Sequence, residues 1–349
     1  MRTVSSHNKR IILDFDDTLA FTTNRDFKNA KPNKELIEKS NALYRDGWQI
    51  DIFTARGSLS CKDRKEAEIK YKPEMVKWLL RNDVLYHNIS FDKPLAAYYV
   101  DDKGISPQDF INTDIRNLEG GLSGSDIYTD GTLVHKTDAR AHEVAEWFNV
   151  VKNVGVDVPN IERVVGETIT MEYVEHDEDF FKDNHWTALA IIQDKLEKFK
   201  RIEYTGNPRH FSTYVERIRK HIEECDVEQD VLWALVWDEI QLLFWPEESF
   251  GHGDFGITNM LFDGGQNMTL IDPIPEVFSA TELDVAKFIA SLYINKYDKE
   301  LIDDSLRVLC TYNKLRETDI NILVRCELTR VIKYHHDKEF IIGLIQDVY

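Results

Sequence analysis

Two groups of residues in this chain have the types and spacings needed to move a phosphoryl group. The first is Asp14-Phe15-Asp16-Asp17-Thr18, which follows the apolar run Ile11-Ile12-Leu13. On an extended chain Asp14 and Asp16 project to one side of Phe15, so their oxygens can share a divalent cation. Asp14 can attack phosphorus to form an aspartyl-phosphate, while Asp16 can protonate the leaving oxygen and then activate water. Such an attack needs its negative charge neutralised by a metal and a lysine. Thr54 after Phe53, Lys93 in Phe91-Asp92-Lys93-Pro94, and the pair Asp101-Asp102 stand in order behind the first cluster. The second group is His252-Gly253-Asp254 with Asn259, followed by Leu270-Ile271-Asp272. A base for a substrate hydroxyl and two oxygen ligands for Mg²⁺ are the minimum apparatus for transferring a γ-phosphoryl group, because positioning and charge neutralisation supply most of the catalysis. Lys136 is placed to meet nucleotide phosphates, and Glu143 or Glu146 on the next helical run could pair with it. Gly121 and Gly124 in the glycine-rich stretch 120–124 could let backbone amides approach those phosphates.

Short strands must present these residues. Apolar runs at 11–15, Gln49–Phe53 and 97–100 alternate with amphipathic helical patterns at 34–46 and 72–81. This is the rhythm of a parallel α/β sheet, in which sites gather at the carboxyl ends of the strands. After Lys103-Gly104 the pattern changes to strand-like runs at 125–129 and 132–136 around Asp130-Gly131, a strong hairpin signal. A helix at 139–151, strands at Ile161–Val165 and 168–174, and a mostly helical remainder beyond 183 follow. The change places a domain boundary near 108, giving domains 1–107 and 108–349. Trp233 and Trp237 share one helical face, which favours core packing; the alternative is an aromatic wall for a cationic or sugar-like acceptor.

At 349 residues with 42% hydrophobic content, the chain is long enough for two cores. A formal charge of -19 argues against a nucleic-acid partner and for small-molecule substrates, including a nucleotide held through metal ions. Cys61, Cys225, Cys310 and Cys326 are too scattered for a zinc site or a disulfide framework. No signal-peptide core and no run of roughly 20 apolar residues is predicted, so the expected location is the cytoplasm, away from the membrane.

The first cluster with Thr54, Lys93 and Asp101-Asp102 resembles the haloacid dehalogenase (HAD) superfamily of phosphatases over about the first 104 residues. The resemblance implies a Rossmann-like α/β fold, Asp14 as nucleophile and Asp16 as acid/base. It also implies Thr54 and Lys93 on the phosphoryl group, and Mg²⁺ on Asp14, the Asp16 carbonyl and Asp101-Asp102. Lys93 lies closer to Asp101 than the family usually allows, which leaves Lys72 and Lys77 as alternatives. The stretch between Asp14 and Thr54 leaves no room for a large cap domain. Asp92-Lys93-Pro94 through Asp101-Asp102-Lys103 is similar to small HAD proteins of bacterial surface-polysaccharide loci, which implies a sugar or alcohol phosphate as substrate.

The second group, with Val134-His135-Lys136 and Asp284-Val285-Ala286-Lys287, resembles the aminoglycoside phosphotransferase and choline kinase branch of the α+β protein-kinase-like fold over about 110–349. That resemblance implies Asp254 as base, Asn259 and Asp272 on Mg²⁺, ATP or GTP as donor, and Met171-Glu172-Tyr173-Val174 as the segment receiving the adenine. Pro273-Ile274 after Asp272 fits small-molecule kinases better than protein kinases. The expectation is therefore a bifunctional enzyme that hydrolyses a phosphomonoester and phosphorylates a small hydroxyl acceptor. The alternatives are a nucleic-acid end-healing kinase and phosphatase, against which stands the lack of a P-loop and of a basic tract, and a nucleotide-sensing module with one inactive domain.

Overall fold

The computed structural model describes residues 9–22, 29–96, 99, 104–118, 126–203, 210–226, 228–243, 246–265, 267–275 and 279–348. The chain divides into two compact units, Met1–Glu119 with Ile127–Val134 and Gly120–Asp126 with His135–Tyr349.

In the first unit, strands Arg10–Leu13 and Asn88–Ser90 pair in parallel on either side of Gln49–Phe53. The central strand is buried along its length, and its one charged residue, Asp51, is satisfied by Arg10 Nε (2.6 Å), Gln49 Nε2 (2.9 Å) and Asn88 Nδ2 (3.0 Å). Helix Lys34–Arg45 starts where the Asn33 side chain accepts the Leu36 N–H, and helix Arg64–Arg81 starts where Asp63 accepts that of Glu66 at 2.9 Å. The second helix therefore begins well before the run expected at 72–81. Pro73 sits inside it on an exposed face, and the Asp63 cap sets the beginning. The core joins Phe15, Leu19, Ile50, Ile52, Met75, Trp78 and Leu79, with Phe15 and Trp78 edge to face at 5.2 Å. Each such side chain contributes about 1.5–3 kcal/mol when fully buried, which anchors the strand ends from which the first cluster projects. Helix Pro107–Asn112 adds Phe110 to the same core, and Tyr128 of strand Ile127–Thr129 meets Trp48 at 4.8 Å. Of the strand expected at 97–100, residues 97, 98 and 100 lie outside the described residues.

In the second unit, strands Ile161–Val165 and Thr168–Glu172 form an antiparallel hairpin, irregular at Thr170/Met171. Residues 135–137 run beside it, with His135 Nδ1 3.2 Å from Thr170 Oγ1. Helix Ala141–Lys152 buries Ala141, Val144, Trp147, Phe148 and Val151 along one stripe. The hairpin of Met260–Phe262 and Met268–Leu270 follows the loop carrying Asp254. Helix Thr281–Ile294, buried at nine positions, packs on Glu317–Ile332. Helices His185–Phe199, Phe211–Glu224, Lys299–Asn313 and Lys338–Asp347 supply most of the remaining helical mass. Trp233–Trp237 is a π-helical turn in which the two half-buried indoles meet edge to face at 5.5 Å. Among the described residues no helix is long and apolar enough to cross a membrane.

Candidate active sites

The first cluster stands at the carboxyl ends of two parallel strands. Asp14 follows Arg10–Leu13; its Oδ1 accepts the Phe15 N–H at 2.8 Å, and its Oδ2 accepts from Lys93 Nζ at 2.6 Å. That contact decides which lysine belongs to the cluster, since Lys72 pairs with Glu68 on its own helix and Lys77 is exposed. Thr54 is fully buried just past Gln49–Phe53; its N–H donates to the Ser90 carbonyl (2.9 Å), and its hydroxyl accepts the Arg56 N–H (3.1 Å). Beyond Asp16 the chain turns sharply. Leu19 and Ala20 N–H groups both donate to the Phe15 carbonyl, and Asp17 takes a left-handed φ of 56°.

Arg56 is the residue the sequence reading missed here. It is buried, donates through Nε to Asp16 Oδ2 at 3.0 Å and through Nη2 to Oδ1, and lies 4.6 Å from the centre of the Phe15 ring. A bidentate guanidinium fixes the Asp16 carboxylate more firmly than a single donor would. The signal was its place two residues after Thr54. Asp101 and Asp102 lie outside the described residues. The Asp14 carboxylate and the Asp16 carbonyl have the hard-oxygen chemistry that Mg²⁺ needs. Among the described residues no cluster of three or more His, Cys, Asp and Glu is arranged for a metal.

The second group converges in the second unit. The loop carrying Asp254 has few strand neighbours, and its backbone is satisfied from below: Asp284 accepts the His252 N–H (2.9 Å) and the Gly253 N–H (3.2 Å), while Lys287 donates to the Gly253 carbonyl. Gly251 packs so closely here that a Cβ would fall 2.2 Å from Ser279 Oγ and 2.5 Å from Asp284 Oδ2. Trp147 Nε1 donates to the Gly251 carbonyl at 3.0 Å. The His252 ring is wholly buried and accepts the Asp254 N–H at Nδ1 (3.3 Å), which puts the ring proton on Nε2. Asn259 Nδ2 donates to the Asp254 carbonyl (2.8 Å) and to its Oδ2 (3.1 Å), so the amide oxygen of Asn259 remains an acceptor. Asp272 has a left-handed φ of 61° after the strand Met268–Leu270, and its Oδ1 accepts from Lys136. Asn259 and Asp272 thus offer the oxygen donors that suit Mg²⁺.

No protein-family model and no curated protein matches the sequence. Among solved structures, a choline/ethanolamine kinase family protein from Mesorhizobium loti matches with a TM-score of 0.51 at 12% identity, covering 67% of this chain and 87% of that one. The chain carries a protein-kinase-like fold. An amicoumacin kinase in complex with AMP-PNP matches 82% of this kinase-like chain and 95% of its own, at 12% identity and a TM-score of 0.48. A protein from Vibrio cholerae matches 30% of this chain and 89% of its own, at 28% identity and a TM-score of 0.29. The assignment of the fold rests on the first of the three.

Within the kinase-like fold, the lysine partner differs from the sequence expectation. Glu143 and Glu146 are exposed on helix Ala141–Lys152, and the carboxylates that meet the buried Lys136 are Asp272 and Asp138, the latter at 3.3 Å. Residue 146 lies opposite the stripe that buries Trp147 and Phe148, and residue 143 lies on its exposed flank. Burial lowers the Lys136 pKa, with Asp138 working against that shift. For Asp138 burial raises the pKa, but hydrogen bonds from Arg140 outweigh it and leave the carboxyl below its ordinary range. Burial brings His252 down to about 4 and Asp284 up to about 6, the latter against its two backbone hydrogen bonds. Met171 is buried at the end of its strand, and the half-buried Val174 accepts at its carbonyl from His176 Nδ1 (3.2 Å). Gly121 and Gly124 lie outside the described residues.

Proposed function

We propose that the second unit is a Mg²⁺-dependent small-molecule phosphotransferase that moves the γ-phosphoryl group of ATP, or GTP, to an acceptor hydroxyl. The observation that carries this reading is the convergence of Asp254, Asn259, Asp272 and Lys136 in one kinase-like unit, with Asn259 bound to Asp254 and Lys136 to Asp272. Asp254 accepts the hydroxyl proton as the acceptor oxygen attacks the γ-phosphorus and the bond to the bridging oxygen breaks, releasing the nucleoside diphosphate, and Asn259 keeps that carboxylate turned toward its task. Bound Mg²⁺ would sit on Asn259 and Asp272 and neutralise phosphate charge. Lys136 steadies the nucleotide phosphates and the segment from Met171 to Val174 receives the base. The matched kinases are named for choline or ethanolamine and for amicoumacin, in keeping with a small hydroxyl acceptor such as a sugar or alcohol.

The Asp14–Lys93 contact supports a second activity in the first unit, the hydrolysis of a phosphomonoester. An Asp14 oxygen forms a bond to phosphorus as the ester P–O bond breaks, Asp16 gives a proton to the leaving oxygen, and water then cleaves the aspartyl-phosphate. Lys93 and Thr54 hold the phosphoryl oxygens, and the Mg²⁺ ligands would include Asp14 and the Asp16 carbonyl. Both substrates are small molecules, and the two domains, 1–107 and 108–349, act in the cytoplasm.

The full chain should be incubated with Mg²⁺-ATP and a panel of sugars, amino alcohols and their phosphates, following acceptor labelling and phosphate release separately. Asp254→Asn should remove labelling alone and Asp14→Asn phosphate release alone. Labelling that survives in Asp254→Asn sinks the kinase assignment, and phosphatase turnover that survives in Asp14→Asn sinks the other.

A further inference from the structure

The strand that carries Lys136, Leu133–Thr137, ends one residue before Asp138, and helix Ala141–Lys152 begins three residues after Asp138. The linker is closely hydrogen-bonded. The Asp138 N–H donates to the Glu167 carbonyl (2.8 Å), its own carbonyl accepts the Ala141 N–H (3.0 Å), and its Oδ1 accepts the Arg140 N–H (2.9 Å). The Arg140 guanidinium then takes both carboxylate oxygens, Nε on Oδ1 and Nη2 on Oδ2, each at 3.0 Å. Asp138 is therefore buried and ionically satisfied, and its Oδ2 lies 3.3 Å from Lys136 Nζ. Glu143 and Glu146 are both exposed on that helix, and the carboxylates that meet Lys136 are Asp138 and Asp272.

Resting on the phosphotransferase reading, we infer that Asp138 is the positioning residue for the nucleotide-binding Lys136, locked in place by Arg140, and that no glutamate of the following helix has that task. This unit thus carries its lysine and the lysine's anchor on one continuous turn.

The test uses the full chain and a fluorescent ATP analogue, mant-ATP, with Mg²⁺. Asp138→Asn should weaken binding by about tenfold or more, while Glu143→Gln/Glu146→Gln stays within about twofold. Because Asp138 acts through Lys136, adding Asp138→Asn to Lys136→Met should change the affinity by less than about twofold, a non-additivity that a general loss of structure would not produce. Arg140→Gln, which leaves the Asp138 charge in place, should weaken binding in the same direction by a smaller factor and carries the test if Asp138→Asn fails to fold. Equal loss in the double glutamine variant, or losses at 136 and 138 that multiply, overturns the inference. A wild-type protein that does not bind Mg²⁺-mant-ATP overturns the phosphotransferase reading and this inference with it.

Discussion

Asp14 projects from the end of a strand, with its side chain 31% exposed and its lysine partner arriving from 79 positions along the chain. Asp254 stands in a loop whose backbone groups are met by Asp284 and Lys287, both buried. The contrast has a common cause. At a strand end the sheet has already paired the main chain, so the first unit can spend its side chains on the cluster itself, with Arg56 buried there in support. A loop away from any ladder must have its N–H and C=O groups satisfied by side chains, and the second unit therefore buries a carboxylate and an amine against the loop of Asp254.

The sharpest way to break this comparison is Asp284→Ala. It orphans two backbone N–H groups and strips a partner from Lys287, so it should cost about 3–5 kcal/mol in urea denaturation and abolish acceptor labelling. Gly251→Ala should act in the same direction by a clash with Ser279 and Asp284, at about 1–3 kcal/mol. In the first unit Arg56→Ala should leave the melting of the second unit unchanged while phosphate release falls by about 10- to 100-fold, because it frees Asp16 and leaves the sheet alone.

A subtler prediction concerns pH. His252 titrates at about 4 in the folded chain against an ordinary 6.5, so its contribution to stability is complete above 6.5 and is lost as pH falls toward 4. Asp284 titrates at about 6 against 3.8, so it costs stability above 6, and that cost disappears below 3.8. Between about 4 and 6 the two slopes oppose each other. His252→Gln removes the His252 slope, so its urea stability should decline less between pH 6 and 4 than that of the parent chain, by up to about 3 kcal/mol. An equal decline in the two proteins would show that His252 does not carry this slope. The smallest effect belongs to Glu143→Gln, within about 0.5 kcal/mol by thermal melting, as for an exposed helix residue.

Much of both sites was legible because short-range spacing encodes it. Asp14 and Asp16 alternate across a strand end, Asn259 lies one loop from Asp254, and Asp272 follows its own strand. The alternation of strands and helices around Gln49–Phe53 and the hairpin at Asp130-Gly131 were legible for the same reason. What escaped was support whose meaning depends on packing. Asp138 reads locally as a turn residue, and only the fold brings its carboxylate to Lys136 while leaving Glu143 and Glu146 exposed. Arg56 reads as a surface charge until the Phe15 ring and Asp16 are seen beside it. The π-helical turn at Trp233–Trp237 has no local signature, since the i, i+4 spacing of its indoles suits an ordinary helix equally well. The run expected at 72–81 covers only the later part of helix Arg64–Arg81, whose beginning is set by the Asp63 cap.

The left-handed backbone at Asp272 bears on how the proposed metal ligands should be tested. Alanine there would exchange a residue type that tolerates φ near 60° for one that resists it by about 1 kcal/mol, so a ligand lost and a backbone forced to readjust would be measured as one number. Asparagine adopts that conformation readily and keeps the side chain's shape. Asp272→Asn is therefore the substitution whose phenotype can be read as charge alone, and the same choice holds for Asp17, whose φ of 56° puts the first unit's turn under the same constraint.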